Sequence, residues 1–309
     1  MRTHFTLRFL IFLVGFNFIS FHTFGQEDSI KTAFWKVISS DLKDTSYLLG
    51  TNHICMSSYF EINKDILKKL NESKTFAAEA IFKKNITKTN SKQVISHTWV
   101  EHATDSQRVN ILNFYKVSLS YSENEIKNHD ILYLKNDFQY HMGYLISEQL
   151  TGIKSQYFMD DYLRFLCKKD GRKMVGLESD KEHYEYLNLL FSFENSQKGL
   201  DTKGNINLVD SLINIYKINK SSLLEEYSER VSYYYYNNIF YSFADTSKFP
   251  IENILLKHRN LVWLPNIVKL IKTRKTFIAV GLNHLRYRYG LIQLLREYGY
   301  KVEPVFNNI

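Results

Sequence analysis

Apolar residues in this chain fall into short, nearly unbroken runs separated by longer amphipathic stretches. Ser46–His53 (SYLLGTNH), Thr75–Ala80, Lys173–Leu177 (KMVGL), Phe277–His284 (FIAVGLNH) and Lys301–Val305 are four to six apolar positions bounded by turn signals. Runs of that kind predict buried strands. Asp65–Leu70, Asp160–Lys169, Ser221–Tyr236 and Leu291–Arg296 instead place apolar residues at helical spacing, and Gly299 marks a helix stop. Two of the runs end in the same turn, Gly50-Thr51-Asn52-His53 and Gly281-Leu282-Asn283-His284, each followed by a helical pattern and another strand. The pattern predicts an α/β fold. Its central sheet is mainly parallel or mixed, built from two strand–Gly-x-Asn-His–helix–strand repeats, with a helical middle region. Lys83–Ser106, rich in Asn, Lys and Thr, reads as a long loop or insertion. No Pro/Ser-rich linker divides residues 26–309, which read as a single domain.

Composition narrows this picture. The 309 residues include only 12 Gly and 3 Pro, which disfavours a loop-rich all-β chain and fits many helices. The first 25 residues have a separate logic. Arg2 and Arg8 precede the apolar run Phe9–Phe18, Thr23 and Gly25 supply small residues before Gln26, and acids begin at Glu27. That order predicts a secretory signal peptide over residues 1–25, hence an exported protein, periplasmic or secreted. The run is shorter than the roughly 20 apolar residues of a spanning helix, and an uncleaved anchor is the alternative. Nothing else in the sequence predicts a stable membrane span in the mature chain. Loss of the leader removes two arginines and no acid, lowering the formal net charge from +8 to +6. The remaining excess lies in lysine-rich stretches such as Lys64–Lys69 and Lys168–Lys173, without an arginine patch interleaved with aromatics, which excludes nucleic acid as a partner. Cys55 and Cys167, the only cysteines, either pair or stay as buried thiols.

The repeated turns carry the candidate chemistry. In an open α/β sheet, ligands bind beyond the carboxyl ends of the strands, where His53 and His284 would lie. If the repeats face each other, the two imidazoles converge, and a carboxylate would complete a metal site. Glu79, in the apolar strand Phe76-Ala77-Ala78-Glu79, and Glu178, ending KMVGLE, are the candidates, because an unpaired buried charge is costly. Glu79 or Glu178 paired with a buried Arg is the structural alternative. His97, His102, His129, His141, His183 and His258 lack ligand spacing. HExxH, G-x-S-x-G, Walker and GxGxxG motifs are absent, which removes the commonest hydrolase, kinase and dehydrogenase readings.

Taken in order, six fragments resemble the TraB/GumN family, relatives of the Tiki metalloproteases. They are Ala33-Phe34-Trp35-Lys36-Val37, YLLGTNH, FAAEA, Asp160-Asp161-Tyr162-Leu163 with Gly176-Leu177-Glu178-Ser179, Arg259-Asn260 with Trp263-Leu264-Pro265, and AVGLNHL with Gly290-Leu291 and Tyr298-Gly299-Tyr300-Lys301-Val302. The resemblance implies a divalent-metal hydrolase, a peptidase acting on a peptide or protein substrate, with Mn²⁺ or Co²⁺ expected ahead of Zn²⁺. It implies His53 and His284 as ligands, Glu79 as ligand or general base, and Glu178 and Arg259 lining the catalytic site. It also implies Asp160 orienting a neighbour and Arg259 facing a developing oxyanion. A haem-binding lipoprotein among the distant fold relatives gives the alternative, a non-catalytic haem or other ligand-binding protein using the same cleft, with Tyr184 or Tyr233–Tyr236 as axial ligands. Asn52, Asn283 and the bulky segment Leu285-Arg286-Tyr287-Arg288-Tyr289 depart from the family pattern and bear on substrate preference.

Overall fold

The computed structural model describes residues 32–38, 44–82, 98–198, 201–236, 239, 241 and 253–306. The predicted signal segment lies outside them. In chain order the elements are β1 (Phe34–Ile38), β2 (Ser46–Thr51), α1 (Tyr59–Ile62), α2 (Lys64–Glu72), β3 (Thr75–Ala78), α3 (Thr98–His102), α4 (Asp105–Leu119), α5 (Glu123–Asn128), α6 (Ile131–Thr151) and α7 (Met159–Lys169). They continue with β4 (Lys173–Gly176), α8 (Asp180–Lys198), α9 (Thr202–Ile218) and α10 (Lys220–Tyr235). A π-helical turn (Asn253–His258) then leads into α11 (Arg259–Thr273), β5 (Thr276–Gly281), a 3-10 turn (Leu282–Leu285), α12 (Leu291–Glu297) and β6 (Lys301–Pro304). Two compact units hold these elements, a helical one of Asn90–Phe138 and Phe191–Leu223, and one of Glu27–Thr89, Gln139–Leu190 and Leu224–Ile309 that contains the sheet.

The six strands lie in the order β4-β3-β5-β2-β1-β6. β4, β3, β5 and β2 pair in parallel, whereas β1 runs antiparallel to both β2 and β6. β6 therefore points the same way as β2. Every residue of β2 and β5 is buried, as expected for central strands covered on both faces. An aromatic row runs across the sheet: Phe277 lies 5.8 Å from Phe34 and 6.5 Å from Phe76 by ring centroid, and Phe34 stacks on Tyr47 at 5.3 Å.

Both predicted repeats are present, but they are not symmetric. The first returns from β2 to β3, stepping over β5. The second returns from β5 to β6 in the opposite sense, stepping over both β2 and β1. Strand β1 takes the place beside β2 that symmetry would give to β6. Right-handed crossovers in opposite senses place their helices on opposite faces of the sheet. The boundary between β2 and β5 is thus a topological switch point. The register sets Thr51 opposite Gly281, so both histidine turns leave the sheet side by side there.

One part of the expected 83–106 loop is helical. Residues 83–97 lie outside the described region, but Thr98–His102 forms α3 and buries Trp99. The Asn/Lys/Thr composition that suggests a loop belongs to the segment before it. Cys55 and Cys167 are both buried and free.

Within the helical unit, Asp137 is buried and accepts a 2.8 Å hydrogen bond from the Tyr121 hydroxyl. Burial raises its pKa to about 6, with the Tyr121 bond working against the rise. An unfolded Asp titrates near ~3.9. Between those values the folded chain holds more protons than the unfolded one, so the Asp137 contribution to stability falls as pH rises from about 4 to about 6. Asp137→Asn keeps an acceptor for Tyr121 and removes the titration. Its stability relative to the native sequence is expected to improve by on the order of 2–3 kcal/mol between pH 4 and pH 7. Urea unfolding at both pH values checks this, and an unchanged difference would contradict it.

Candidate functional site

The carboxyl ends of the four parallel strands deliver the site residues. Thr51 ends β2 and is followed by Asn52 and His53. Glu79 follows β3, Glu178 comes two residues after β4, and His284 comes three residues after β5. Two glycines permit the crowding at this edge. A Cβ on Gly50 would lie 2.6 Å from Leu282 Cδ1 and 3.0 Å from its Cα. A Cβ on Gly281 would lie 2.9 Å from His53 Nε2 and 3.2 Å from Glu79 Oε1. Any larger residue at Gly281 would fill the space between the imidazole and the carboxylate.

His53 is set from below and from one side. The loop after it is pinned to the start of α7 through Ser57 N→Tyr157 O (2.9 Å) and Met159 N→Cys55 O (3.0 Å). That brings Asp160, in the first turn of α7, to His53 Nδ1 at 2.9 Å, while its other oxygen accepts from Thr51 Oγ1 at 2.8 Å. Surrounding protein disfavours charge on the ring, but Asp160 outweighs it and lifts the His53 pKa to about 9. With 56% of the side chain exposed, solvent screening tempers that pull. In the described residues Nε2 has no hydrogen-bond partner and faces Gly281.

His284 is treated oppositely. It is buried, and Nδ1 lies 2.7 Å from Asn260 Oδ1, while Arg259 Nη1 lies 3.1 Å from Nε2. Burial, with a further contribution from Arg259, lowers its pKa to about 3. Arg259 can only donate, so Nε2 carries a lone pair. The Trp263 ring lies over the imidazole at 4.5 Å between centroids.

Arg259 joins the remaining groups. Its Nε and Nη2 grip Glu178 at 3.0 and 2.6 Å, and Nη2 also donates to Glu79 Oε2 at 2.6 Å. Glu178 further accepts from Trp263 Nε1 at 3.2 Å and from His183 Nδ1 at 2.7 Å. These four donors occupy its lone-pair positions. Glu79 keeps Oε1 apart from the guanidinium: it accepts from Gly281 N at 2.8 Å and lies 3.8 Å from His284 Nε2. Burial pulls Glu79 towards the neutral acid, but His284 and Arg259 outweigh it and hold its pKa well below the usual carboxylate range.

His53, Glu79, Glu178, Arg259, His284 and Asp160 thus all lie at one sheet edge in two hydrogen-bonded groups; the structure adds Thr51 to the His53–Asp160 pair and His183, Asn260 and Trp263 to the group around Arg259. His183 carried no ligand spacing in the sequence. Its only signal is its place five residues after Glu178, at the start of a helix. The tyrosines of α10 serve another purpose than open ligation. Tyr234 donates to the carbonyl of Gly50, and the Tyr235 hydroxyl bonds Ser58 Oγ (3.0 Å) and Met56 O (3.3 Å), bracing the turn that carries His53. Tyr184 packs on Phe82.

Two sets of donors bear on metal binding. Ligand atoms of Glu79, Glu178 and His183 lie within 4.8 Å of one another, yet the oxygens nearest His183 are those that Arg259 already neutralises. The two imidazole Nε2 atoms and Glu79 Oε1 make the chemically better set, two nitrogens and an anionic oxygen, once His53 gives up the proton that Asp160 favours and Arg259 Nη1 gives up the His284 lone pair. Three buried or half-buried carboxylates (Glu79, Glu178, Asp160) against one guanidinium also leave two negative charges when both imidazoles are neutral. That balance suits a dication.

Arg259→Met strips the shared cation from Glu79 and Glu178 and is expected to cost about 3–5 kcal/mol, as for other broken buried pairs. Lys36→Met, which removes an exposed pair with Glu303, should cost under about 1 kcal/mol. Arg259→Lys restores charge without the fork and should recover less than half of the loss. Urea unfolding of the three variants measures this, and a loss for Arg259→Met as small as for Lys36→Met would contradict it.

The model of the TraB/PrgY/gumN family matches residues 33–304, from the residue before β1 to the end of β6. No curated protein and no solved structure matches the chain. With most of its length covered by that family model, the chain belongs to the TraB/PrgY/gumN family.

Proposed function

We propose that this protein is an exported, divalent-metal-dependent hydrolase acting on peptide bonds, with the metal held by His53, His284 and Glu79. The observation that carries the reading is the convergence of two imidazoles at the switch point. Each has Nδ1 bound to a side-chain oxygen, so that Nε2 is the atom facing Glu79 or Gly281. Ligand histidines are ordinarily held in this way by outer partners that fix ring and tautomer. Mn²⁺ and Co²⁺ are preferred to Zn²⁺ on the family resemblance, and the mixed nitrogen–oxygen donor set accommodates either. Export rests on the leader pattern of residues 1–25.

A bound metal would acidify a water molecule and polarise the scissile carbonyl. The chain's own groups divide the remaining work. Asp160, braced by Thr51, keeps the His53 ring turned with Nε2 inward. Glu79 serves as an anionic oxygen donor; its depressed pKa makes it a weak proton acceptor. Glu178, saturated by four donors, anchors Arg259 and does not act as a base. Arg259 then presents Nη1 beside His284, where it can stabilise charge developing on a carbonyl oxygen.

The test loads the native protein and the His53→Ala/His284→Ala double variant with Mn²⁺, Co²⁺ or Zn²⁺, desalts them, and measures metal by mass spectrometry alongside cleavage of a peptide library. Near-stoichiometric metal and cleavage in the native protein, both lost in a folded double variant, are expected. Equal metal in the two proteins, or none in either, would sink the reading. A Soret band in the purified protein would instead favour haem binding.

A further inference from the structure

We infer that Asn260 is the positioning residue of His284, fixing both its tautomer and the loop that carries it. The inference deepens the hydrolase reading in its consequence for metal, but its structural content stands apart from that reading.

Asn260 is fully buried in the first turn of α11, next to Arg259. Its side chain makes three hydrogen bonds to one short segment. Nδ2 donates to the carbonyls of His284 (3.1 Å) and Tyr289 (2.8 Å), and Oδ1 meets His284 Nδ1 at 2.7 Å. The two carbonyls accept only, so they dictate which end of the amide faces them. The amide cannot flip without setting its oxygen against two carbonyl oxygens. Oδ1 is therefore locked towards the ring, and an oxygen at 2.7 Å requires the proton on Nδ1. The lone pair is left on Nε2, the atom that faces Arg259 Nη1 and Glu79 Oε1.

The same residue explains how His284 is held although residues Arg286 to Tyr289 beyond its 3-10 turn form an irregular loop with Tyr287 at φ 70°. The bonds to residues 284 and 289 span that loop and close it on α11. The contrast with His53 is chemical. Asp160 gives His53 a charged acceptor that strengthens its nitrogen, whereas Asn260 gives His284 a neutral acceptor that orients the ring without adding charge to an already crowded carboxylate cluster.

The experiment is nitrogen-15 NMR of the metal-free, histidine-labelled protein, with the His284 signals assigned by their loss in His284→Gln. The native protein should show a slowly exchanging Nδ1–H proton and an unprotonated Nε2. Asn260→Leu should lose the Nδ1–H signal or expose it to rapid exchange. An Nε2–H tautomer in the native protein overturns the inference without recourse to any variant, so a variant that fails to fold does not rescue it. An unshifted, protected Nδ1–H in folded Asn260→Leu also overturns it. In a second measurement, Mn²⁺ and Co²⁺ titrated into folded Asn260→Leu should bind roughly 10- to 100-fold more weakly than to the native protein. A native protein with the Nδ1–H tautomer that binds no metal sinks the hydrolase reading alone.

Discussion

Two carboxylates, Glu79 and Glu178, sit inside this protein where water does not solvate them, and one guanidinium answers both. That constraint orders the surroundings. Arg259 must occupy the first turn of α11, the π-helical turn must deliver it there, and Trp263 one helical turn later must complete the coordination of Glu178. Buried ions are tolerated when geometry and extra donors replace the lost hydration. Here the fork of Arg259, the Trp263 indole, the His183 imidazole and the Gly281 amide supply the donors. The residues that look like decoration around a site are the condition for its charge.

The sheet explains why such a cluster forms at this edge. Crossovers of opposite sense leave β2 and β5 in different directions, and strands pointing the same way place their terminal residues together. The two imidazoles enter from neighbouring strands but meet different second partners, a carboxylate in one case and an amide in the other. Their environments are therefore pushed apart although the local sequence, Gly-x-Asn-His, is the same. The turns share sequence but not backbone, since Thr51 still lies in β2 whereas Leu282 opens a 3-10 turn; helices α7 and α11 decide the chemistry.

Much of this was legible beforehand, and for identifiable reasons. β2, β5 and β3 announced themselves because strands buried on both faces are apolar without alternation, and β4 through its short apolar run although it is only half-buried. His53 and His284 stood out through repetition, and Glu79 through the cost of a charge in an apolar strand. The pairing of Asp160 with His53 depends on a bridge between Met56 and Phe158, which no local pattern encodes; the family resemblance implied only that Asp160 orients a neighbour. His183 is not legible in the sequence because its partner, Glu178, is a neighbour through a strand-to-helix turn and not through ligand spacing. The asymmetric return of β6 was equally hidden, since β1 carries no signal that it will lie between β2 and β6. The lone helix at Thr98–His102 was masked by the polar composition preceding it.

The position of β5 has a consequence for how the molecule can be assembled. It lies between β2 and β3 in space, yet the Gly281 amide that binds Glu79 comes 202 positions later in the chain. A ribosome therefore produces both flanking strands long before the one that joins them. Until β5 arrives, Glu79 lacks the Gly281 amide and the aromatic row lacks Phe277. Contacts so distant in sequence slow the search for the native pairing. The central part of the sheet must close late, around the last quarter of the polypeptide. A fragment ending before residue 276 would lack the middle of its own sheet.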